Sequence, residues 1–592
     1  MGAMTRIFDL LELYRVKYAA REIVFAGKEA ETWQTFSAAD YSRICDQVSA
    51  ALLALDMTKG TKVATIMNNC PEWNFLDMGL MQIGAVQVPI YPTICNDHFA
   101  YIFEHADIEY VFLYDAGIYG CVQDVISKFP QIKNVFSIKK VDGLKHWKEF
   151  LALGKDITDT HKIRSISQQI QPDDLATIIY TSGTTGTGKG VMLSHRNFVS
   201  NFMAAQQILA PKGVTVTLSF LPLCHVYERM LNYVYQYLGI RIYYAANMDN
   251  LAETMREVRP EIICAVPRML EKIFDRIVVR GRGLKQPRRT MFFWAFNLAV
   301  RYQLYGAKGW NYEFRRYFAD LLAYRKWRQA LGGRLRYVVC GGASLRPRIA
   351  KFFWAAGIQV VEGYGLTETS PVIAVGTFEP GGLKFGTVGP PLDGVEVKIA
   401  EDGEILCRGP NVMLGYYKDD VLTREAIDDE GWFHTGDVGT LDEGKYVKIT
   451  DRKKEIFKTS GGKYIAPQVI ENRVKESEFI ENIIVIGENR HFPAALIVPA
   501  FEHLKSWCEV KGIDYQDSEQ IVLNHQVIAR IGKEVEKVNY FLGKTEQIKQ
   551  FGLIGHEWKV ESGELSPTLK LRRKFILRKY AGMIHDIYHG QR

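Results

Sequence analysis

Short apolar runs alternate with amphipathic stretches along most of the chain. The short runs predict buried strands, whereas apolar residues spaced three or four apart predict helices. The predicted strands are residues 63–67, 86–90, 110–114, 176–180, 217–223, 241–244, 261–266, 335–340 and 358–362. The predicted helices are residues 37–55, 71–83, 97–105, 122–129, 197–209 and 267–274. Strands that alternate with helices in this way indicate an α/β fold with mostly parallel strands.

The pattern changes near residue 386, after which short strands and turns predominate up to residue 450. A chain of 592 residues exceeds what one hydrophobic core usually serves, so we expect more than one domain. We expect residues 1–450 to form a large N-terminal domain of α/β layers with a small β region. Residues 451–592 should form a smaller, mobile α+β domain. Residues 140–172 are polar and weakly patterned, which predicts an irregular connection.

The composition is that of an ordinary globular protein, with 47% hydrophobic and 24% charged residues. The longest apolar stretch, residues 75–91, contains Asp77 and Pro89 and is too interrupted to span a bilayer. The nine cysteines are scattered and form no C-x-x-C pair. Free thiols in a reducing compartment are therefore expected, and with them a cytoplasmic location.

The net charge of +7 is distributed unevenly. Residues 276–336 contain fifteen Lys or Arg and two acids, a net charge of +13, together with many aromatic residues. Cationic, aromatic helices can dock on anionic membrane surfaces, so peripheral membrane contact is one interpretation. A helical subdomain with solvated arginines is the other. Nucleic-acid binding is disfavoured because no recognition fold is visible.

Residues 180–195 carry the densest candidate chemistry and read Y-T-S-G-T-T-G-T-G-K-G-V-M-L-S-H. Hydroxyls, glycines and one lysine lie together between a predicted strand and a predicted helix, which is the chemistry of a phosphate cradle. The cradle residues are Thr181, Ser182, Gly183, Thr184, Thr185, Gly186, Gly188, Lys189 and Gly190. A P-loop requires Ser or Thr after the lysine to bind Mg²⁺. Gly190 stands there, which argues against a P-loop kinase or ATPase.

Two further polar tips follow predicted strands, at residues 341–344 and 363–370. Ligands of open α/β sheets bind at the carboxyl ends of the strands. We therefore expect these tips and the cradle to meet at one crevice.

Four motifs occur in order: Y-T-S-G-T-T-G-x-x-K-G at 180–190, G-Y-G-L-T-E-T-S at 363–370, G-W-F-H-T-G-D at 431–437 and D-R-K-K-E at 451–455. Together they resemble the adenylate-forming, AMP-binding superfamily. Four further sequence motifs resemble those of the long-chain fatty-acid–CoA ligases within this superfamily. They are L-P-L-C-H-V-Y-E-R at 221–229, P-R-M-L-E-K-I at 267–273, K-T-S-G-G-K-Y-I-A-P at 458–467 and L-S-P-T-L-K at 565–570. The resemblance covers the chain from about residue 30.

The resemblance implies that a fatty acid, ATP and CoA react through an acyl-AMP, with release of pyrophosphate and AMP. Lys189 and the cradle would hold the terminal phosphates, and Glu368 would bind Mg²⁺. Thr367 would contact the α-phosphate and His225 would lie beside the acyl carboxylate. The nucleoside would be bound by Gly341, Gly342, Ala343, Tyr364, Gly365, Asp437 and Arg452.

The resemblance also implies that the C-terminal domain rotates about a hinge at Asp451 between the two half-reactions. Lys570 would serve the adenylation step, and Gly461 and Gly462 would approach the pantetheine of CoA in the second step. Alternatives are a ligase for medium-chain or aromatic acids, and acyl transfer to a carrier protein. A lipid-binding module without chemistry is disfavoured because Lys189, Glu368 and Lys570 are all present.

Overall fold

The computed structural model describes residues 4–29, 32–94, 96–155, 160–181, 188–209, 213–245, 250–566 and 571–589. The predictions for Lys570 and for the cradle residues Ser182, Gly183, Thr184, Thr185 and Gly186 lie outside these ranges.

The strands fall into an N-terminal set and a C-terminal set. The N-terminal strands are β1 (Phe25–Glu29), β2 (Thr32–Phe36), β3 (Lys62–Ile66), β4 (Val86–Pro89), β5 (Tyr110–Leu113), β6 (Asn134–Ser137), β7 (Lys145–His146), β8 (Leu175–Thr181), β9 (Lys189–Ser194), β10 (Val216–Ser219), β11 (Arg241–Tyr244), β12 (Ile262–Ala265), β13 (Tyr337–Cys340), β14 (Gln359–Gly365), β15 (Val372–Val375), β16 (Glu396–Ile399), β17 (Glu404–Arg408), β18 (Gly415–Tyr416), β19 (Phe433–Asp442) and β20 (Tyr446–Arg452). The C-terminal strands are β21 (Phe457–Lys458), β22 (Tyr464–Ile465), β23 (Ile480–Ile486), β24 (Ala494–Pro499) and β25 (Gln550–Leu553).

Helices cover the sheets. They are α1 (Leu10–Arg15), α2 (Ala38–Ala54), α3 (Pro71–Gln82), α4 (Asn96–His105), α5 (Ala116–Ile126), α6 (Trp147–Ala152), α7 (Thr160–Gln169), α8 (His195–Leu209), α9 (Val226–Tyr237), α10 (Leu251–Val258), α11 (Pro267–Arg282), α12 (Arg288–Ala299), α13 (Gly309–Ala319), α14 (Arg325–Ala330), α15 (Pro347–Ala355), α16 (Asp420–Ala426), α17 (Pro467–Val474), α18 (Phe501–Lys511), α19 (Ser518–Ile521), α20 (His525–Asn539), α21 (Arg573–Lys579) and α22 (Ala581–His589). A π-helical turn, Asp320–Tyr324, joins α13 to α14.

Two eight-stranded sheets form the N-terminal α/β layers. Their strand orders are β15-β14-β13-β12-β10-β11-β1-β2 and β18-β9-β8-β4-β3-β5-β6-β7. Strands β10 to β14 run parallel where they pair, and β8 pairs parallel with β4 but antiparallel with β9. The predicted α/β class with mostly parallel strands is confirmed. Strands β16, β17, β19 and β20 form the separate small β region expected after residue 386.

The sequence pattern was wrong in two places. Residues 140–172 contain β7, α6 and α7 rather than an irregular connection, because Trp147 and Phe150 pack into the core from an otherwise polar stretch. The segment after the cradle begins with a strand, β9, before the predicted helix α8. The cradle therefore joins two antiparallel strands.

The buried hydrophobic residues form separate cores in the two parts of the chain. One cluster runs from Ile7 to Val447, and two smaller clusters include residues from Phe457 onward. Ion pairs join the two parts: Arg268 contacts Glu481, and Arg348 Nη2 lies 2.7 Å from Glu478 Oε1. A large N-terminal domain and a smaller C-terminal domain are thus observed, while the boundary at Asp451 stays a prediction.

Candidate active site

The phosphate cradle is held at its two ends by the hairpin of β8 and β9. Thr181 and Lys189 are directly opposite each other in this ladder. Antiparallel pairing brings the ends of the connecting loop within about 5 Å of each other. Both residues are half-buried, so Lys189 and the Thr181 hydroxyl border the loop from opposite strands.

Gly190 has a packing role in the β9 strand. A Cβ atom there would lie 2.9 Å from Ile178 Cγ2 and 3.3 Å from the Tyr180 ring. In a P-loop the corresponding residue begins a helix and its hydroxyl faces the metal. The glycine here lies in a strand against packed side chains, so the difference from a P-loop is one of topology as well as residue type.

Tyr416 connects Lys189 to Glu368 and was missed by the sequence reasoning. Its hydroxyl donates a hydrogen bond to Glu368 Oε1 at 2.9 Å, and Lys189 Nζ lies 4.8 Å from the centre of its ring. Strand β18 pairs with β9, which places Tyr416 opposite Val191. The G-Y-Y sequence at 415–417 is too short a signal to have indicated this contact.

Glu368 lies in a tight turn after β14. Residues Thr367–Thr369 form a single 3₁₀ turn, and Met413 N donates to the Glu368 carbonyl at 2.9 Å. Gly365 is needed at the strand end because a Cβ there would lie 1.7 Å from the Pro371 carbonyl oxygen. Thr367 and Glu368 are both half-buried at this tip.

The electrostatics around Lys189 favour an anion. Partial burial lowers the pKa of Lys189, and the nearby Lys454 lowers it further, while Glu368 acts in the opposite direction. A phosphate group placed here would relieve the repulsion between the two lysines. The side chains are those expected of a polyanion site.

Mg²⁺ fits a single carboxylate at this position. The ion usually keeps several waters and binds one or two carboxylates together with substrate phosphates. In the described part of the chain, no group of three or more His, Cys, Asp or Glu is arranged to hold a metal. Glu368 next to a phosphate cradle suits a metal that arrives with a nucleotide.

Tyr364, Asp437 and Arg452 meet at a second corner of the site. The Tyr364 hydroxyl donates to Asp437 Oδ2 at 2.8 Å, and Arg452 Nε lies 3.2 Å from Asp437 Oδ1. Asp437 and Arg452 are cross-strand neighbours on β19 and β20. Asp437 is buried, and burial together with Asp437 raises the pKa of Tyr364. Both carboxylate oxygens of Asp437 thus have protein partners already.

The tip at residues 341–345 lies beside the β14 tip because β13 and β14 are parallel neighbours. A Cβ at Gly341 would lie 2.9 Å from the Tyr227 ring, and Gly342 has a φ of +85° that favours glycine. Gly342 and Ala343 are exposed. The residues predicted to bind the nucleoside here therefore expose their backbone to solvent at the edge of the crevice.

The buried Glu362 side chain stabilises this tip by a hydrogen bond to its backbone. Its Oε2 accepts a hydrogen bond from Leu345 N at 3.1 Å, and burial raises its pKa to about 8. The carboxyl group is therefore protonated at neutral pH. A single acid within a strand pattern offered no sequence signal for this supporting role.

His225 occupies the N-terminal cap of α9. Its Nδ1 accepts a hydrogen bond from Tyr227 N at 3.2 Å, and its ring packs edge-on against Tyr91. A neutral His225 in this arrangement carries its proton on Nε2. The ring is half-buried, and its predicted contact with an acyl carboxylate stays a prediction.

The buried Arg229 side chain joins α9 to α3 through an ion pair and to the strand before the cradle through a hydrogen bond. Arg229 Nη2 lies 2.6 Å from Asp77 Oδ1, and Arg229 Nη1 donates to Thr177 Oγ1 on β8 at 2.9 Å. The side chains of Arg229 and Asp77 are both fully buried. The helix that begins beside His225 is therefore fixed to the strand that leads to Thr181.

The predicted hinge residue Asp451 and the loop predicted to approach the pantetheine of CoA both lie within the described residues. Asp451 is buried in β20, where its carboxylate accepts from Arg452 N at 2.6 Å and Gln468 N at 3.0 Å. Strands β21 and β22 form a tight hairpin around Gly461 and Gly462, with Gly462 at a φ of +79°. Both glycines are exposed. Lys570 lies outside the described residues.

Comparisons with known proteins agree with this arrangement. The AMP-binding enzyme family matches residues 15–417, and the AMP-binding enzyme C-terminal domain matches residues 454–592. The chain is 31% identical to the long-chain-fatty-acid–CoA ligase FadD15 of Mycobacterium bovis, over 94% of this chain and 93% of the relative. It is also 31% identical to the long-chain-fatty-acid–CoA ligase 6 of Mus musculus, over 95% of this chain and 83% of the relative.

Solved structures share the fold at lower identity. The adenylation domain of a carboxylate reductase from Mycobacterium chelonae superimposes with a TM-score of 0.75 at 20% identity, covering 99% of this chain and 92% of that one. The anthranilate CoA ligase AuaEII, in complex with anthranoyl-AMP, gives 0.72 at 17% identity and covers 98% of each chain. The first family match includes Lys189, Glu368 and Tyr416, and the two matches together cover most of the chain, which therefore belongs to the AMP-binding enzyme family.

Proposed function

We propose that the protein joins a long-chain fatty acid to CoA with ATP. A carboxylate oxygen of the acid attacks the α-phosphorus of ATP, the bond to pyrophosphate breaks, and an acyl-AMP forms. The thiol of CoA then loses its proton to solvent and attacks the acyl carbon, and AMP leaves. No protein nucleophile is needed, so catalysis rests on positioning and charge neutralisation.

The observation that carries the proposal is the meeting of Lys189 and Glu368 at Tyr416. One cation and one carboxylate on either side of a shared ring suit a phosphate chain with its metal. In the proposal, Lys189 and Thr181 grip the β- and γ-phosphates together with Ser182, Gly183, Thr184, Thr185 and Gly186. Mg²⁺ bound by Glu368 would supply further neutralisation of the phosphate charge.

The remaining residues would orient the nucleoside and the acid. Tyr364 and Gly365 would contact the adenine from one side and Gly341, Gly342 and Ala343 from the other. Asp437 would accept the ribose hydroxyls in exchange for its bond to Tyr364, with Arg452 beside it. Thr367 would donate to the α-phosphate, and His225 would lie near the acyl carboxylate.

The relatives support a long-chain acid as the substrate. Those in Mycobacterium bovis and Mus musculus are both named long-chain-fatty-acid–CoA ligases and align over nearly the whole chain. The test is pyrophosphate release with a panel of acids from acetate to oleate, measured with and without CoA. Long-chain acids should give the highest kcat/KM. A maximum at medium-chain or aromatic acids would refute the chain-length proposal, and product formation only with a carrier protein would refute CoA as acceptor.

We further propose that the C-terminal domain, residues 451–592, turns about Asp451 between the two steps. Lys570 would neutralise charge at the α-phosphate during adenylation, and the hairpin containing Gly461 and Gly462 would then approach CoA. Lys570→Ala should lower acyl-AMP formation by about 10²-fold or more, the scale of losing one transition-state donor. The same variant should still convert supplied acyl-AMP to the thioester.

Lys574→Ala is the matched control, since Lys574 is exposed and only four residues away. It should leave both half-reactions close to the wild-type rates. Equal loss of the two half-reactions in Lys570→Ala would contradict the assigned step. Loss in both lysine variants would point to a general effect of charge in this segment.

A further inference from the structure

Four aromatic side chains form a cluster against the hairpin of β8 and β9. They are Tyr101 and His105 on α4, Tyr180 on β8 and Tyr417 directly after β18. The His105 ring stacks on Tyr101 with ring centres 5.2 Å apart. It meets the Tyr180 and Tyr417 rings edge-on, at 5.8 Å and 5.7 Å. All four rings are half-buried, so this aromatic cluster is part of the packed structure beside the phosphate cradle.

The Tyr180 ring lies against the two glycines that flank Lys189. A Cβ atom at Gly190 would lie 3.3 Å from Tyr180 Cζ, and one at Gly188 would lie 3.7 Å from Tyr180 Cδ1. Tyr180 is directly opposite Gly190 in the ladder, and directly opposed residues share a face of the sheet. Neighbouring residues of a strand face opposite sides, so Lys189 lies on the other face. The ring therefore packs on the back of the segment that carries Lys189.

A hydrogen bond fixes the Tyr180 hydroxyl to His105. The distance from His105 Nδ1 to the Tyr180 hydroxyl oxygen is 2.7 Å. Burial lowers the pKa of His105 and Lys418 lowers it further, while burial raises the pKa of Tyr180. At pH 7 the imidazole is therefore neutral and the phenol keeps its proton. The hydroxyl donates to Nδ1, and the imidazole proton is on Nε2.

Lys189 depends on such support because its own side chain is flexible. A lysine carries its charge on a four-carbon stem, which gives the ammonium group many positions for each position of the backbone. On the front face the Lys189 ammonium lies 4.8 Å from the Tyr416 ring centre. On the back face only Tyr180 and the residues that hold it can restrict the backbone at Gly188 and Gly190. Groups of a binding site are held precisely when their supporting side chains are themselves fixed by packing and hydrogen bonds.

We propose that His105 and Tyr180 are positioning residues for the phosphate chain of ATP. Their hydrogen bond holds the Tyr180 ring against Gly188 and Gly190, and the ring fixes the backbone from which Lys189 reaches the phosphates. Both side chains act through Lys189, since Tyr180 is on the opposite face of the hairpin. The proposal rests on the proposed function only in taking Lys189 as a phosphate ligand.

The test is the KM for ATP, and separately the KM for the fatty acid, in acid-dependent ATP–pyrophosphate exchange. Tyr180→Phe removes the hydroxyl and keeps the ring, whereas His105→Leu removes the acceptor at similar volume. Each should raise the KM for ATP by about twofold to tenfold, the scale of one neutral hydrogen bond, and leave the KM for the acid unchanged. The double variant should lose no more than the single variants, because both changes remove the same bond.

A rescue variant and a matched control separate positioning from stability. His105→Asn places an acceptor oxygen as many bonds from the backbone as Nδ1, so it should recover most of the wild-type KM for ATP. Tyr110→Phe is the control, since the Tyr110 hydroxyl donates to the Leu55 carbonyl at 2.9 Å on β5. Strands β4 and β3 separate β5 from β8 in the same sheet. This variant should keep the wild-type KM for ATP whatever its melting temperature.

A lowered melting temperature with an unchanged KM for ATP in Tyr180→Phe would assign the bond a structural role and overturn the proposal. An equal rise in Tyr110→Phe, or losses that multiply in the double variant, would also overturn it.

Failure of the proposed function would be a different result, namely no acid-dependent exchange by the wild type. Calorimetric binding of ATP with Mg²⁺, in the absence of acid, then tests the positioning role by itself. Tyr180→Phe should bind this nucleotide about twofold to tenfold more weakly than the wild type. Equal binding of the two proteins, or no binding by the wild type, would overturn the proposal.

Discussion

Replacing Tyr416 by phenylalanine removes one hydroxyl from the centre of the site and leaves the aromatic ring beneath Lys189. The lost hydrogen bond is a 2.9 Å contact to the Glu368 carboxylate. Hydrogen bonds to charged groups contribute about 1.5–3 kcal/mol. Glu368 is half-buried, which favours the lower end of this range, so kcat/KM for ATP should fall about tenfold.

Truncation of Tyr416 to alanine should cost more than the phenylalanine change. It also removes the ring, whose centre lies 4.8 Å from Lys189 Nζ. A cation–π contact at a partly exposed site contributes about 0.5–1 kcal/mol, which adds roughly another twofold to fivefold loss. The two variants together separate the role of the hydroxyl from that of the ring.

The assay is acid-dependent pyrophosphate release at several Mg²⁺ concentrations. Tyr416→Phe should need more Mg²⁺ for half-maximal rate, because the carboxylate that would bind the metal loses its orientation. Tyr417→Phe is the control, since the Tyr417 hydroxyl contacts Asp107 at 3.4 Å on the exposed surface. Equal loss in both variants, or wild-type Mg²⁺ dependence in Tyr416→Phe, would refute the reasoning.

Three further predictions concern the scaffold of the site. Gly190→Ser restores the P-loop pattern, and it should lower the free energy of unfolding by about 1–3 kcal/mol because the added side chain overpacks against Ile178. The variant should still require as much Mg²⁺ as the wild type. Gly120→Ala is the control and should not destabilise the fold, since a Cβ there meets nothing within 4 Å. Asp77→Ala should cost about 3–5 kcal/mol in chemical denaturation because Arg229 stays buried without its carboxylate partner. Asp173→Ala, which removes the exposed pair with Arg196, should cost less than about 1 kcal/mol. The Glu362 carboxyl group binds its proton more tightly in the folded state, so its stabilising contribution is lost as pH rises from about 4.5 to about 8. In that window the free energy of unfolding of the wild type should fall relative to that of Glu362→Gln by about 1.4 kcal/mol per pH unit. Parallel pH profiles of the two proteins would contradict this.

Much of the N-terminal domain was predictable because its strands are buried on both faces. Strands such as β4 and β12 consist of buried residues from end to end, and such runs stand out between amphipathic helices. The missed elements α6 and α7 are short and largely polar. Tertiary packing of Trp147 and Phe150 positions α6, and packing of Ile163 positions α7. Local pattern carries little information about such contacts.

The site residues that belong to sequence motifs were predictable, whereas those that only tertiary contacts bring to the site were not. The resemblance singled out Lys189, Glu368 and Asp437 from residues that lie far apart in sequence. It did not predict Tyr416 or Glu362, which act on neighbouring residues through a cross-sheet hydrogen bond and a backbone contact. The residue pattern treated the whole stretch from residue 181 to the predicted helix at 197–209 as a turn, and so did not predict the short strand β9.

The most direct test of the central claim is ATP–pyrophosphate exchange in the absence of CoA. If the site forms an acyl-AMP, labelled pyrophosphate should enter ATP only when a long-chain fatty acid and Mg²⁺ are present, and Lys189→Ala or Glu368→Gln should abolish the exchange. The nucleotide product of the complete reaction with CoA should be AMP. Exchange that ignores the fatty acid, or a complete reaction that yields ADP and orthophosphate, would contradict the assignment of this crevice as an adenylation site.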